Sequence, residues 1–339
     1  MECAKIDTWL RLTIERKNVP YLEGLIVLAR DDEVQEWLEA ALNEEDDEKR
    51  TALFEKILER DPDNPVARYI KWGEMDEKDA LANLGILLDA ARKLNELLER
   101  PEGLSEFVYS EYVMILSDIA FCLYANGEED GAMEVAENFM AKDREGGVLG
   151  RIVHYSLLIK RGKYDEAIES ASSDTCVTLM GEYCRAIALF ETEGVSDKAS
   201  DALLEAVSLD PEMAFFIMGL WELGDEEMET IFEDEDGVYM HELIMQAERL
   251  SELWNASEER IVFLGTVVFA LGYLTGRVVG LEDVEMLEET YRTIGCFERM
   301  SEARDTLQAM LAGGHEPEEV DEKALDLFKE MKGQGLFNA

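Results

Sequence analysis

Reactive side chains are scarce in this chain. It holds 3 histidines and 5 cysteines among 339 residues, and catalytic or metal chemistry would need several of them to converge. His154 lies one turn before Leu158 in a segment whose apolar side also carries Ile152 and Tyr155, the setting of a packed helix residue. His241 has Glu242 beside it but no histidine four positions away, so the paired-histidine helix face of a zinc protease is missing. His315, between Gly313-Gly314 and Glu316-Pro317, reads as an exposed turn residue. No Glu-x-x-His element is present from which facing helices could build a two-metal carboxylate site.

The cysteines (Cys3, Cys122, Cys176, Cys184 and Cys296) are odd in number and widely spaced, and four of them have apolar neighbours. They read as buried free thiols in a reducing compartment, which points to the cytoplasm. No Cys-x-x-Cys pair, phosphate-cradling glycine loop or Gly-x-Ser-x-Gly elbow occurs. The acidic runs at 44–47 and 233–237 lack the alternating ligands and closing glutamate of a calcium loop. Asn255-Ala256-Ser257 fits a glycosylation pattern that has no use without secretion. No catalytic, cofactor-binding or metal-binding residue is therefore expected, and no cofactor.

Charge sharpens the exclusions. The chain carries 77 acidic and 32 basic residues, a formal net charge of -45. Such a surface repels phosphate backbones and anionic lipids, so nucleic-acid and membrane partners are not expected. The acids are spread along the chain, as a solvating surface in a saline setting would be, or a surface for a basic partner. The opening Met-Glu-Cys-Ala-Lys reaches Asp7 before any apolar run develops, so no secretory leader is expected. The longest apolar stretch, Ile261 to Gly276, spans roughly 24 Å as a helix, too short for a bilayer. It reads as a buried core helix, with Gly265, Thr266, Gly272 and Thr275 suited to close packing.

The elements that must position these residues are helices. Ala, Leu, Glu and Met dominate, no Val/Ile/Thr alternation marks a sheet, and the 6 prolines fall where apolar periodicity breaks. Residues 1–46 offer three helices, around 6–16, 21–30 and 33–42, as an N-terminal cap. A long helix is expected over 74–100, with Ala80, Leu84, Leu87, Ala91, Leu94 and Leu98 as its stripe. Further helices are expected near 239–253, 257–275, 281–292, 296–312 and 318–332, and residues 237–339 read as degenerate repeats or a helical cap.

Between them, 47–236 shows a repeating unit. Apolar helices end near Gly127, Gly162, Gly194 and Gly224, and after the first three a small residue stands five positions on: Ala132, Ala167 and Ala199. A glycine can end a helix in the left-handed conformation, and an alanine lets the next helix approach closely. A period near 34 residues built from two helices marks a helical solenoid.

This spacing resembles the tetratricopeptide repeat. Gly162, Tyr164 and Ala167 match its turn, Ala206 and Asp210-Pro211 match its closing residues, and Asp61-Pro62 followed by Asn64-Pro65 looks like the same boundary in an earlier unit. The likeness is best over 112–224, and the family's Trp, Leu and Gly of the first helix are mostly absent. The resemblance implies an all-α, right-handed superhelical solenoid of antiparallel helix pairs, with divergent N- and C-terminal helices, acting as a protein-binding scaffold or adaptor. First helices would line a groove through Met114, Phe121, Tyr124, Ile152, Ile159, Arg185, Met218 and Trp221. Of the carboxylate clamp some members use, only Arg185 fits, so an apolar or basic peptide or helix is the expected occupant. The alternatives are an enzyme or metal-dependent regulator built from distant carboxylates, and self-association through the apolar distal helices.

Overall fold

The computed structural model describes residues 31–44, 46–73, 75, 82–98, 106–144, 146–220, 237–277 and 281–331. Among them there are sixteen helices and no strand. In chain order these are α1 Asp32–Leu42, α2 Asp47–Arg60, α3 Pro65–Gly73, α4 Leu84–Leu98, α5 Glu106–Ala125, α6 Glu129–Met140, α7 Val148–Lys160 and α8 Tyr164–Ser173. Then follow α9 Leu179–Glu193, α10 Asp197–Leu209, α11 Pro211–Ile217, α12 Gly237–Trp254, α13 Glu258–Thr275, α14 Leu281–Thr293, α15 Phe297–Ala312 and α16 Pro317–Met331. The all-α reading and the five distal helices agree with the sequence. The segments expected at 6–16 and 21–30 lie outside the described residues.

Short polar side chains set the helix starts. Asp31, Asp46, Thr178, Ser196 and Ser257 each accept an amide N–H from the first turn of the helix that follows. The two Pro boundaries work alike but not at the same register. Asp210 accepts the Glu212 and Met213 amides at 2.9 and 3.1 Å, with Pro211 at the first helical position. In the earlier unit that role falls to Asn64, whose Oδ1 accepts from Ala67 N at 3.1 Å ahead of Pro65, while Asp61 ends α2.

The glycine turns share one hydrogen-bond pattern. Gly127 N donates to Tyr124 O and Glu128 N to Leu123 O; Gly162 N donates to Ile159 O and Lys163 N to Leu158 O. This pair of bonds satisfies the last carbonyls of a helix when the next residue adopts a positive φ, and both glycines do so, at 79° and 66°. The pattern recurs at Gly219, Gly295 and Gly314, where the sequence offered no Asp-Pro to announce it. Gly194 instead caps α9 at φ 68°, ψ -154°, and Gly224 lies outside the described residues. Ala132, Ala167 and Ala199 are all fully buried, and so is Met300, five positions after Gly295. Around Gly162 there is room for a methyl group, so only backbone strain opposes one. Gly162→Ala is expected to cost about 1–2 kcal/mol, readable as a lowered midpoint in urea unfolding.

The chain divides into two compact units, one formed by 1–154 and 225–242, the other by 155–224 and 243–339. In the first, successive helices pack on one another from α1 through α6. Its core is built from Leu38, Phe54, Ile57, Tyr69, Trp72, Leu87, Leu94, Ile115, Ile119 and Phe139. Of the stripe expected along 74–100, Leu87, Ala91 and Leu94 are buried and Leu84 is half-buried; Ala80 and the Leu98 side chain lie outside the described residues.

The second unit departs from nearest-neighbour stacking. α8, α9, α10 and α11 pack in order, but α13 gathers α11, α14, α15 and α16 around it, and α16 returns to α10. The expected core helix is thus the hub of the distal helices: Phe263, Leu264, Val267, Val268, Leu271 and Leu274 are buried. Gly265 lets the Met218 methyl approach to 3.4 Å from where a Cβ would stand. Arg277 reaches Asp321 of α16 at 2.8 Å. Among the described residues no helix is long and apolar enough to cross a membrane.

Candidate functional site

The eight residues expected to line a groove have different fates. On α5, Met114, Phe121 and Tyr124 stay half-buried and share a side of the helix, as their spacing of seven and three dictates. Ser117, between them, is buried, and its Oγ accepts the Gly150 amide at 2.7 Å. On α7, Ile152 and Ile159 are buried at 0% and 3% exposure, which leaves no side-chain surface for a partner. Met218 is half-buried where α11 ends against Gly265. Trp221 lies outside the described residues.

Arg185 on α9 is committed within its own unit. Its Nε donates to Glu182 Oε2 at 2.8 Å, and its Nη2 bridges Glu182 and Glu205. A cation held by two carboxylates has little charge left for a third, so it does not supply the isolated positive group that a clamp would need.

The inward side of α9 is filled by the chain itself. Met180 N donates to Gln246 Oε1 of α12 at 3.2 Å. Tyr183 meets Trp254 edge to face at 6.4 Å between centroids, and Phe190 stacks on Phe263 at 4.7 Å. Cys184 and Ala188 on the same helix are fully buried. Glu191, at the end of the same side, accepts Arg260 Nε at 2.6 Å. Arg260 also donates to Leu253 O at 2.7 Å and to Tyr164 OH at 3.3 Å. One buried guanidinium thereby ties α13 to α8, α9 and the C-terminal end of α12. The sequence signal was an arginine opening an otherwise uncharged apolar run; what it would reach could not be read.

Two further buried polar clusters had no sequence signal. In the first unit Asp143 receives Gly146 N at 3.0 Å, Gly147 N at 2.9 Å and the buried Arg151 guanidinium. Arg151 closes the ring by donating to Gly147 O at 3.1 Å. Asp118 of α5 is buried as well, and its Oδ2 accepts the hydroxyl of Tyr69 on α3 at 2.6 Å. Both clusters consist of paired groups buried inside the packing.

Of the side chains weighed for chemistry, Cys3 and the His241 side chain lie outside the described residues. Burial pushes the thiols of Cys122 and Cys184 well above the ordinary cysteine range, so both are poor nucleophiles. His154 is buried, and His315 Nδ1 lies 2.8 Å from Glu319 Oε2 on the surface. Asp46, in the first acidic run, caps α2 through Lys49 N at 3.1 Å. A shallow depression along α15 is bordered by Phe297, Ser301, Glu302, Asp305, Thr306 and His315. Among the described residues no group of three or more His, Cys, Asp or Glu side chains could hold a metal ion. No protein-family model matches the chain, and no curated protein or solved structure is significantly similar to it.

Proposed function

We propose that this chain is a non-enzymatic, cytoplasmic helical-repeat protein, a scaffold of tetratricopeptide-like helix pairs that binds another protein or peptide. The recurrent glycine turn at helix ends supports a solenoid-like build. The observation that carries the binding reading is the contrast between two first helices. α9 is covered on its inward side by α12 and α13, whereas α5 keeps Met114, Phe121 and Tyr124 half-exposed on one side. Aromatic residues and methionine on one helix side are the composition of interface anchors. The partner carries basic groups, because a protein with a net charge of -45 steers cations toward itself and repels nucleic acid.

The test is affinity capture from a lysate of the source organism, with the native protein and with Phe121→Asp/Tyr124→Asp, at low and high salt. The expected result is a stoichiometric protein held by the native chain at low salt, weakened at high salt, and held at least about tenfold less well by the double variant. Equal capture by both forms would refute the α5 assignment, and the absence of any stoichiometric partner would count against a scaffold.

A further inference from the structure

We propose that the contact between α3 and α5 is a pH-sensitive lock, closed while the Asp118 carboxyl is neutral and loosened when it ionises. The inference is independent of any partner. It starts from geometry: Asp118 is 3% exposed and Tyr69 1%, and their side chains meet at 2.6 Å from residues 49 apart in sequence. An ionised carboxylate there would forgo water and gain in return one donated phenol hydrogen bond.

Among the described residues no cation reaches it. Tyr69 on α3 and Cys122, one turn further along α5, are the titratable neighbours, and burial keeps both protonated. Arg68 and Lys71 of α3 turn outward, to Asp63 and Glu55, and Lys93 of α4 reaches Asp63 as well. Arg92 of α4 pairs with Asp89. α6 turns Ala132, Met133, Ala136 and Phe139 inward. Arg151, in the part of α7 that belongs to this unit, is held by Asp143, and His154 and Glu111 are also buried in the unit.

Two forces therefore oppose each other at Asp118. Burial favours the neutral acid, and the hydrogen bond donated by Tyr69 favours the carboxylate; burial is the larger, and the group is pushed up to about 7. An ordinary aspartate in the unfolded chain titrates near 3.9. The folded form thus holds its proton more tightly. The stabilisation is complete below about pH 4, declines as pH rises, and levels off above about pH 7. Near neutrality both forms of Asp118 are populated, which is what a lock that responds to physiological pH requires.

The experiment is urea unfolding of the full chain between pH 5 and pH 8 for the native protein, Asp118→Asn and Tyr69→Phe. Amide hydrogen exchange at pH 6 and pH 8, corrected for intrinsic rates, accompanies it. The folding constant of the native protein is expected to fall about a hundredfold relative to Asp118→Asn across this range. Tyr69→Phe removes the force favouring ionisation, so its transition is expected to move to higher pH. Exchange in α3 and α5 is expected to quicken at pH 8 in the native protein only. Parallel pH curves for native and Asp118→Asn would overturn the proposal, and exchange that quickens equally in all helices would overturn a local lock. If Asp118→Asn does not fold, the Tyr69→Phe midpoint decides: an unmoved or lowered one refutes the proposal.

Discussion

Asp143→Ala is expected to destabilise the first unit by about 3–5 kcal/mol. The substitution leaves Arg151, 1% exposed at its side chain, charged inside the packing without this carboxylate. It also strands the Gly146 and Gly147 amides that the carboxylate receives, each a further cost of about 1 kcal/mol or more if left buried and unpaired. The loop from α6 to α7 would lose its closure, so the loss is expected in stability and in protease resistance of residues 141–147 alike. Removing both charges tests the cause. Asp143→Ala/Arg151→Met takes the pair away without leaving a lone ion, and it is expected to recover most of the single-variant loss in urea unfolding. A double variant as unstable as Asp143→Ala would mean that the loop amides, not the buried cation, set the cost. The neighbouring Gly150 belongs to the same packing: a Cβ there would stand 2.3 Å from the Phe139 ring, so no larger residue fits unless that ring shifts.

Arg260→Ala carries the second large effect. Its three hydrogen bonds reach α8, α9 and α12, and the side chain is 8% exposed. Glu191, its carboxylate partner, is about a quarter exposed, so water can take up that charge once the arginine is gone. The expected loss is about 2–4 kcal/mol, below the limit for a fully buried pair. A second readout separates local loosening from general damage. Trp254 is fully buried against Tyr183 and within reach of Phe263, so detachment of α12 and α13 from α9 is expected to shift tryptophan emission to longer wavelength before the cooperative unfolding step. Arg260→Lys restores charge but not the fork that reaches three acceptors, and it is expected to recover only part of the loss. Emission unchanged in Arg260→Ala below its unfolding transition would show that aromatic packing alone holds α9 covered.

Helices, their ends and much of the core were legible without coordinates. The period of apolar residues and the placing of Gly127 and Gly162 at helix ends are local matters: each depends on residues a few positions apart. The side of α5 that carries Met114, Phe121 and Tyr124 follows from the same arithmetic. The fate of α9 did not, because Met180, Tyr183, Phe190 and Glu191 meet Gln246, Trp254, Phe263 and Arg260 much later in the chain, and periodicity cannot tell a groove from a seam. Ile152 and Ile159 show the same limit, since an apolar residue on a helix side is equally suited to a lining and to a core.

What the sequence by itself determined is therefore an acidic chain whose described residues form helices punctuated by glycine turns. Those properties rest on composition and on interactions within one or two turns. Only the tertiary structure decided which helix sides remain open, which cations are already paired, and that Asp118, Asp143 and Arg260 are buried. These outcomes depend on contacts between distant segments, where a guanidinium finds its carboxylate or a carboxyl loses its water only once the helices have packed.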